Sequence, residues 1–165
     1  MLEISRKDAI EALLLCDLLN LSLEDRGNEL IGLGFNYFDE EKKEWDSKKV
    51  LSLKSTKRLK GKHAGYKYVT NKYLEIKILE LYKVHVAVIG DVRTDGARCP
   101  CCGYLIASKL EPFSICPVCE WDYGGGNVED KYSPMNHATL KEYREEFEHR
   151  KMENENDPLY VMYQK

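Results

Sequence analysis

No stretch of this 165-residue sequence carries the roughly 20 consecutive apolar residues that a membrane-spanning helix needs. No membrane role is therefore expected. No secretory leader is expected either. Arg6, Lys7, Asp8 and Glu11 fall where an uncharged apolar stretch would be required, and the leucines at 13–15 are too short a run. The chain is expected to be cytoplasmic, with its thiols in a reducing compartment. There is no internal repeat. The glycines at 124–126 lack the Lys-Ser/Thr of a phosphate loop. His63, His85, His137 and His149 are scattered and form no base–nucleophile arrangement, so no catalysis is expected. A composition of 43% apolar and 32% charged residues excludes disorder along the whole chain.

Acidic residues are nearly absent from the middle of the chain. Between residues 48 and 77 there are ten Lys or Arg and one acid, Glu75. Residues 1–47 and 111–165 each hold 12 acids, so the net charge of −3 hides a segregation. Tyr66, Tyr68 and Tyr73 interleave with the basic block. Phosphate neutralisation with aromatic stacking is how single-stranded nucleic acid is held. Lys54, Lys57, Arg58, Lys60, Lys62 and Lys67 are the candidate contacts for nucleic acid or an acidic partner protein. The competing reading is a solvated face paired with the chain's own acids.

Helix periodicity marks residues 6–19, where Ile10, Leu13, Leu14 and Leu18 share a face after a Ser5/Asp8 start. Cys16 lies in this stretch and reads as a small buried hydrophobe. A second helix begins after Ser22, carries Leu30, Ile31 and Leu33 inward, and weakens at Gly32 and Gly34. Phe35, Tyr37, Phe38 and Trp45 are expected to cover this helical core. Val50, Leu51, Leu53 and Leu59 suit either a short helix or an edge strand. From Asn71, Leu74, Ile78, Leu81 and Tyr82 repeat at helical spacing, with a strand as the competing reading. Val84, Val86 and Val88 alternate as a strand ending at Gly90. Thr139 and Glu142 cap a last helix bearing Leu140, Tyr143 and Phe147. Residues 152–157 are expected to fray, and Leu159, Tyr160, Val161 and Tyr163 to dock as a final strand.

Cysteine is the residue that stands out. Five of six cysteines lie within 21 residues, as Cys99-Pro100-Cys101-Cys102 and Cys116-Pro117-Val118-Cys119. Two thiolates three positions apart can face one ion while turn N–H groups donate to the sulfurs. Proline after the first cysteine fixes φ for the turn, and Gly103 supplies a permissive conformation beyond it. Thirteen residues separate the two units, enough for a hairpin that brings them together. The spacing points to a four-cysteine metal site of Cys99, Cys102, Cys116 and Cys119, with zinc as the ion. Cys101 is then the variable residue between ligands. Structural zinc contributes on the order of 10–16 kcal/mol in small modules, and a cysteine segment this short cannot otherwise offset its chain entropy.

These cysteines, with Gly103, Tyr104, Ile115 and Trp121 and the downstream Asn136, Leu140 and Arg144, resemble the bacterial cysteine-rich CPCC family. That resemblance implies a small metal-binding protein and brings no reaction with it. The same units also resemble rubredoxin-type knuckles, which implies iron and one-electron transfer as an alternative. Glu120 stands where that resemblance expects glycine, and Glu146-x-x-His149 occurs without the partner motifs of a di-iron bundle.

The expected architecture is α+β. Residues 1–92 form a mainly helical N-terminal region, 93–151 a zinc-ribbon-like hairpin closed by a helix, and 152–165 a tail. The expected role is a zinc-stapled binding or regulatory module that acts on a protein partner. Nucleic-acid binding and iron electron transfer are the alternatives.

Overall fold

Short polar side chains at three positions decide where helices start. Ser22, Thr70 and Thr139 each accept a hydrogen bond from the backbone N–H three residues on, at Asp25, Tyr73 and Glu142, and so satisfy a donor that the first turn leaves unpaired. In the computed structural model, which describes residues 2–62, 64–125 and 128–165, these caps open helices α2 (Leu23–Gly32), α5 (Asn71–Tyr82) and α6 (Leu140–Glu153). The other described helices are α1 (Arg6–Asn20), α3 (Ser47–Val50), α4 (Leu53–Lys62) and α7 (Pro158–Met162). Among the described residues six short strands pair in three two-stranded sheets, so the architecture is α+β.

The chain divides into two compact units. One comprises residues 7–66. Its core is Leu18, Leu30, Val50 and Leu59, with Phe35, Tyr37 and Trp45 packed against it. Strands β2 (Phe38–Asp39) and β3 (Glu44–Trp45) form a hairpin that sets the Trp45 ring edge-on to Phe38. A Cβ on Gly27 would stand 2.4 Å from that ring, so α2 requires glycine where Trp45 crosses it. Arg26 is buried and donates to the Leu18 carbonyl and the Thr56 hydroxyl, at 2.8 and 2.9 Å, tying α1, α2 and α4 together.

The other unit comprises residues 1–6 and 67–165. Strand β1 (Leu2–Ser5) pairs in parallel with β4 (Val86–Ile89), register Leu2↔Val86 to Ser5↔Ile89. Arg6 is buried, and its guanidinium donates to Asn71 Oδ1 and the Val69 carbonyl, both at 2.7 Å. Asn71 Nδ2 in turn donates to the Gly90 carbonyl at 2.9 Å. The chain's last residues are tied down. Val69 bridges Tyr163, the Thr70 N–H donates to the Met162 carbonyl, and the Leu105 N–H donates to the Gln164 carbonyl.

Several expectations need correcting. Residues 158–162 are a helix, because Asp157 caps the Leu159 N–H and Pro158 opens the first turn with its φ already set. Only Tyr163 makes a strand-like bridge. Strand β1 and the β2–β3 hairpin carry too few residues for a periodic signal. Ile31, Leu51, Leu53, Leu81 and Tyr82 are exposed, since helix ends and turn residues rotate off the core-facing stripe. Cys16 is only half-buried and accepts from Asn20 Nδ2 at 3.5 Å. Val50 ends α3 and Leu53 and Leu59 lie in α4, with Leu51 in the turn between them, so this stretch is helical rather than an edge strand, and helix also wins over strand from Asn71. Helix α6 runs on to Glu153, into the stretch expected to fray, before the polar segment ends it.

Candidate metal centre

Two turns with the same backbone pattern build the site. In the first, between β5 (Ala97–Arg98) and β6 (Leu105–Ala107), the Cys99 N–H donates to the Tyr104 carbonyl and the Gly103 N–H to the Cys99 carbonyl, both at 2.9 Å. In the second, the Cys116 N–H donates to the Trp121 carbonyl and the Glu120 N–H to the Cys116 carbonyl, again both at 2.9 Å. Each turn needs a left-handed residue just after its second cysteine. Gly103 takes it at φ +76° and Glu120 at φ +67°. The Glu120 side chain therefore leaves the backbone of the second turn like that of the first, at a strain of roughly 1–2 kcal/mol.

The turns bring four sulfurs together. Cys99 Sγ lies 3.6 Å from Cys119 Sγ, and Cys102 Sγ lies 3.7 Å from Cys116 Sγ. All four sit within 4.8 Å of one another. A disulfide would need about 2.05 Å, whereas sulfurs around a tetrahedral ion with bonds of about 2.3 Å stand roughly 3.8 Å apart. All four thiols are buried and none is in a disulfide. The Val118 N–H points at Cys116 Sγ, at 3.4 Å. Such N–H···S contacts suit a sulfur that carries negative charge.

Crowding puts the protonation of these thiols in conflict. Hydrogen bonds from Cys102, Cys116 and Cys119 hold Cys99 well below the usual thiol range. Cys116 foremost, with Cys119 and Cys99, holds Cys102 well above it. Cys119 is pushed up to about 12, with Cys101 the largest cause. A cation shared among four sulfurs removes that conflict. The donor set and the spacing thus fit a metal ion.

Groups outside the cluster hold the turns. Arg144 on α6 donates from Nη2 to the Pro100 carbonyl at 3.1 Å and from Nε to the Cys101 carbonyl at 3.3 Å, and its Nη1 pairs with Glu129 at 2.7 Å. The Asp122 N–H donates to Asn136 Oδ1 at 2.7 Å, and Asn136 Nδ2 returns a bond to the Asp122 carbonyl at 2.9 Å. Trp121 is fully buried, with Tyr143 of α6 edge-on at 5.2 Å, and Leu140 is buried at the start of the same helix. Asn136, Leu140 and Arg144 thus act as struts of the hairpin. Cys101 is buried but is not one of the four.

The basic block is divided. Lys54, Lys57, Arg58 and Lys60 belong to the unit of residues 7–66, Lys67 to the other. Lys54, Lys57 and Lys67 are exposed. Arg58 stacks on the Phe35 ring at 3.5 Å and donates to the Tyr37 hydroxyl, and Lys60 pairs with Glu11. The side chain of Lys62, and His63 and Gly126, lie outside the described residues. Tyr68 is buried beneath Arg93, and the Tyr66 hydroxyl donates to Asp17 at 2.7 Å.

Tyr123 and Glu129 escape a reading of the sequence. An aromatic residue with a polar tip four positions after the last cysteine is the only signal for the first, and nothing local marks the second. Among the described residues, no helix is long and apolar enough to cross a membrane. No curated protein and no solved structure matches the chain. Residues 97–157, the segment that carries the four thiols, Trp121, Asn136 and Arg144, match the family model described as cysteine-rich CPCC.

Proposed function

We propose that this chain is a small metal-binding protein in which Cys99, Cys102, Cys116 and Cys119 hold one zinc ion in a structural role. In this reading it serves as a binding or regulatory module for a protein partner and performs no catalysis of its own. The observation that most supports it is the burial of four convergent thiols on two matching turns. Four thiolates complete a tetrahedral shell, and zinc bound there supplies a cross-link between the turns. The chain's own part is to bury the sulfurs and to brace the turns with Arg144 and Asn136.

A protein partner is favoured over nucleic acid by the fate of the basic block. Arg58, Lys60, Tyr66 and Tyr68 are engaged within the chain, which leaves few groups for a stacking platform. Metal analysis of purified protein by mass spectrometry, with its visible spectrum, tests the central claim. One zinc per chain and no visible absorption are expected. One iron per chain with thiolate charge-transfer bands would replace this reading with electron transfer.

A further inference from the structure

The hydroxyl of Tyr123 is buried and has no hydrogen-bond partner among the described residues. The residue as a whole is 8% exposed. Leaving such a group unpaired costs about 1–3 kcal/mol, so its position calls for an acceptor. Its neighbours are the sulfurs of Cys99 and Cys116. The backbone holds the ring in place from both sides. The Tyr123 N–H donates to the Ser114 carbonyl at 3.0 Å, and the preceding Asp122 is fixed by Asn136 and accepts from the Gly124 N–H.

A neutral thiol is a weak acceptor, but a metal-bound thiolate keeps lone pairs available for a donor. Cys116 already receives the Val118 N–H. We infer that Tyr123 is a positioning residue of the metal centre, whose hydroxyl donates an O–H···S hydrogen bond to the metal-bound sulfur of Cys99. The inference rests on the metal reading above. The bond draws electron density from that sulfur, which makes it a poorer donor to the ion and a poorer nucleophile toward electrophiles. Tyr123 would thereby shield one ligand of the site from modification while leaving the coordination number unchanged.

Cobalt(II) is the probe, because its thiolate charge-transfer bands report the energy of the sulfur lone pairs. Tyr123→Phe keeps the ring and removes only the donor. The variant is expected to bind one Co2+ per chain, with its sulfur-to-cobalt band shifted to lower energy and its zinc-loaded form alkylated several-fold faster by iodoacetamide. Spectra and alkylation rates that superimpose on the wild type would overturn the inference. Wild-type protein loaded with 113Cd2+ gives an answer even if the variant does not fold. A Tyr123 hydroxyl proton protected from solvent and scalar-coupled to the metal is expected, and a freely exchanging one overturns the role. Wild-type protein that takes up neither Zn2+ nor Co2+ sinks the metal reading itself, whereas wild-type uptake with an unaltered variant sinks only the hydroxyl bond.

Discussion

Asn136 and Asp122 exchange a reciprocal pair of hydrogen bonds, side-chain amide to backbone, that holds the segment leaving the second cysteine turn. The amide both accepts and donates, so a carboxylate, which only accepts, cannot replace it. Its Nδ2 also reaches Ser133 Oγ at 2.7 Å, which links the turn to the segment preceding α6. Asn136→Ala leaves the Asp122 N–H and carbonyl unpaired in a half-buried setting and is expected to destabilise the loaded protein by about 1–3 kcal/mol. Asn136→Asp should be nearly as damaging, since a carboxylate cannot donate to the carbonyl. Denaturant midpoints of the metal-bound variants check both, and an Asp variant as stable as wild type would remove the reciprocal bond from the account.

Substituting Ser for Cys99, Cys102, Cys116 or Cys119 should each abolish one-to-one metal binding, while Cys101→Ser retains it. The motive is the convergence of four sulfurs within 4.8 Å, a set that leaves out Cys101. Metal-to-protein ratios by mass spectrometry decide the matter. Metal kept in Cys99→Ser and lost in Cys101→Ser would move the site by two residues.

Metal affinity should rise steeply with pH. Cys102 is held above the usual thiol range, chiefly by Cys116, and Cys119 is pushed up to about 12. Both carry protons at neutral pH that an ion must displace, whereas Cys99 is held low by Cys102 and the other thiols. Raised thiol values also mean that the metal-free fold is favoured below the ordinary thiol range and loses that contribution as pH climbs from there toward about 12. Chelator competition at several pH values, with proton release followed in weak buffer, measures the first effect. An affinity independent of pH between 6 and 8 (roughly the range over which metal ligands exchange protons for the ion) would contradict it.

Gly27→Ala should damage the unit of residues 7–66 without touching the cysteine turns. The added Cβ would meet the Trp45 ring at 2.4 Å, so helix or ring must shift. Overpacking of this kind costs about 1–3 kcal/mol. Thermal unfolding should show the loss, while metal stoichiometry stays at the wild-type value. Trp45 fluorescence would report the displaced ring directly.

The sequence by itself determined whatever depends on neighbours a few residues apart. Ser22, Thr70 and Thr139 start helices because a cap and the N–H it satisfies lie within one turn. The two Cys-Pro-x-Cys units mark their turns for the same reason, and identical spacing makes their cysteines face alike. The apolar stripe of α1 was equally legible, since helical periodicity repeats locally. Tertiary structure alone decided the rest. Pairing Leu2 with Val86, burying Arg6 against Val69 and Asn71, and burying the Tyr123 hydroxyl all join residues far apart in the chain, or depend on what packs above them. So does the division of the basic block after Tyr66, which no run of lysines announces. Residues 159–163 show the boundary most plainly. Their β-prone composition favoured a strand, but the cap from Asp157 and the lack of a full-length partner strand among the described residues made them a helix, with only Tyr163 left to bridge Val69.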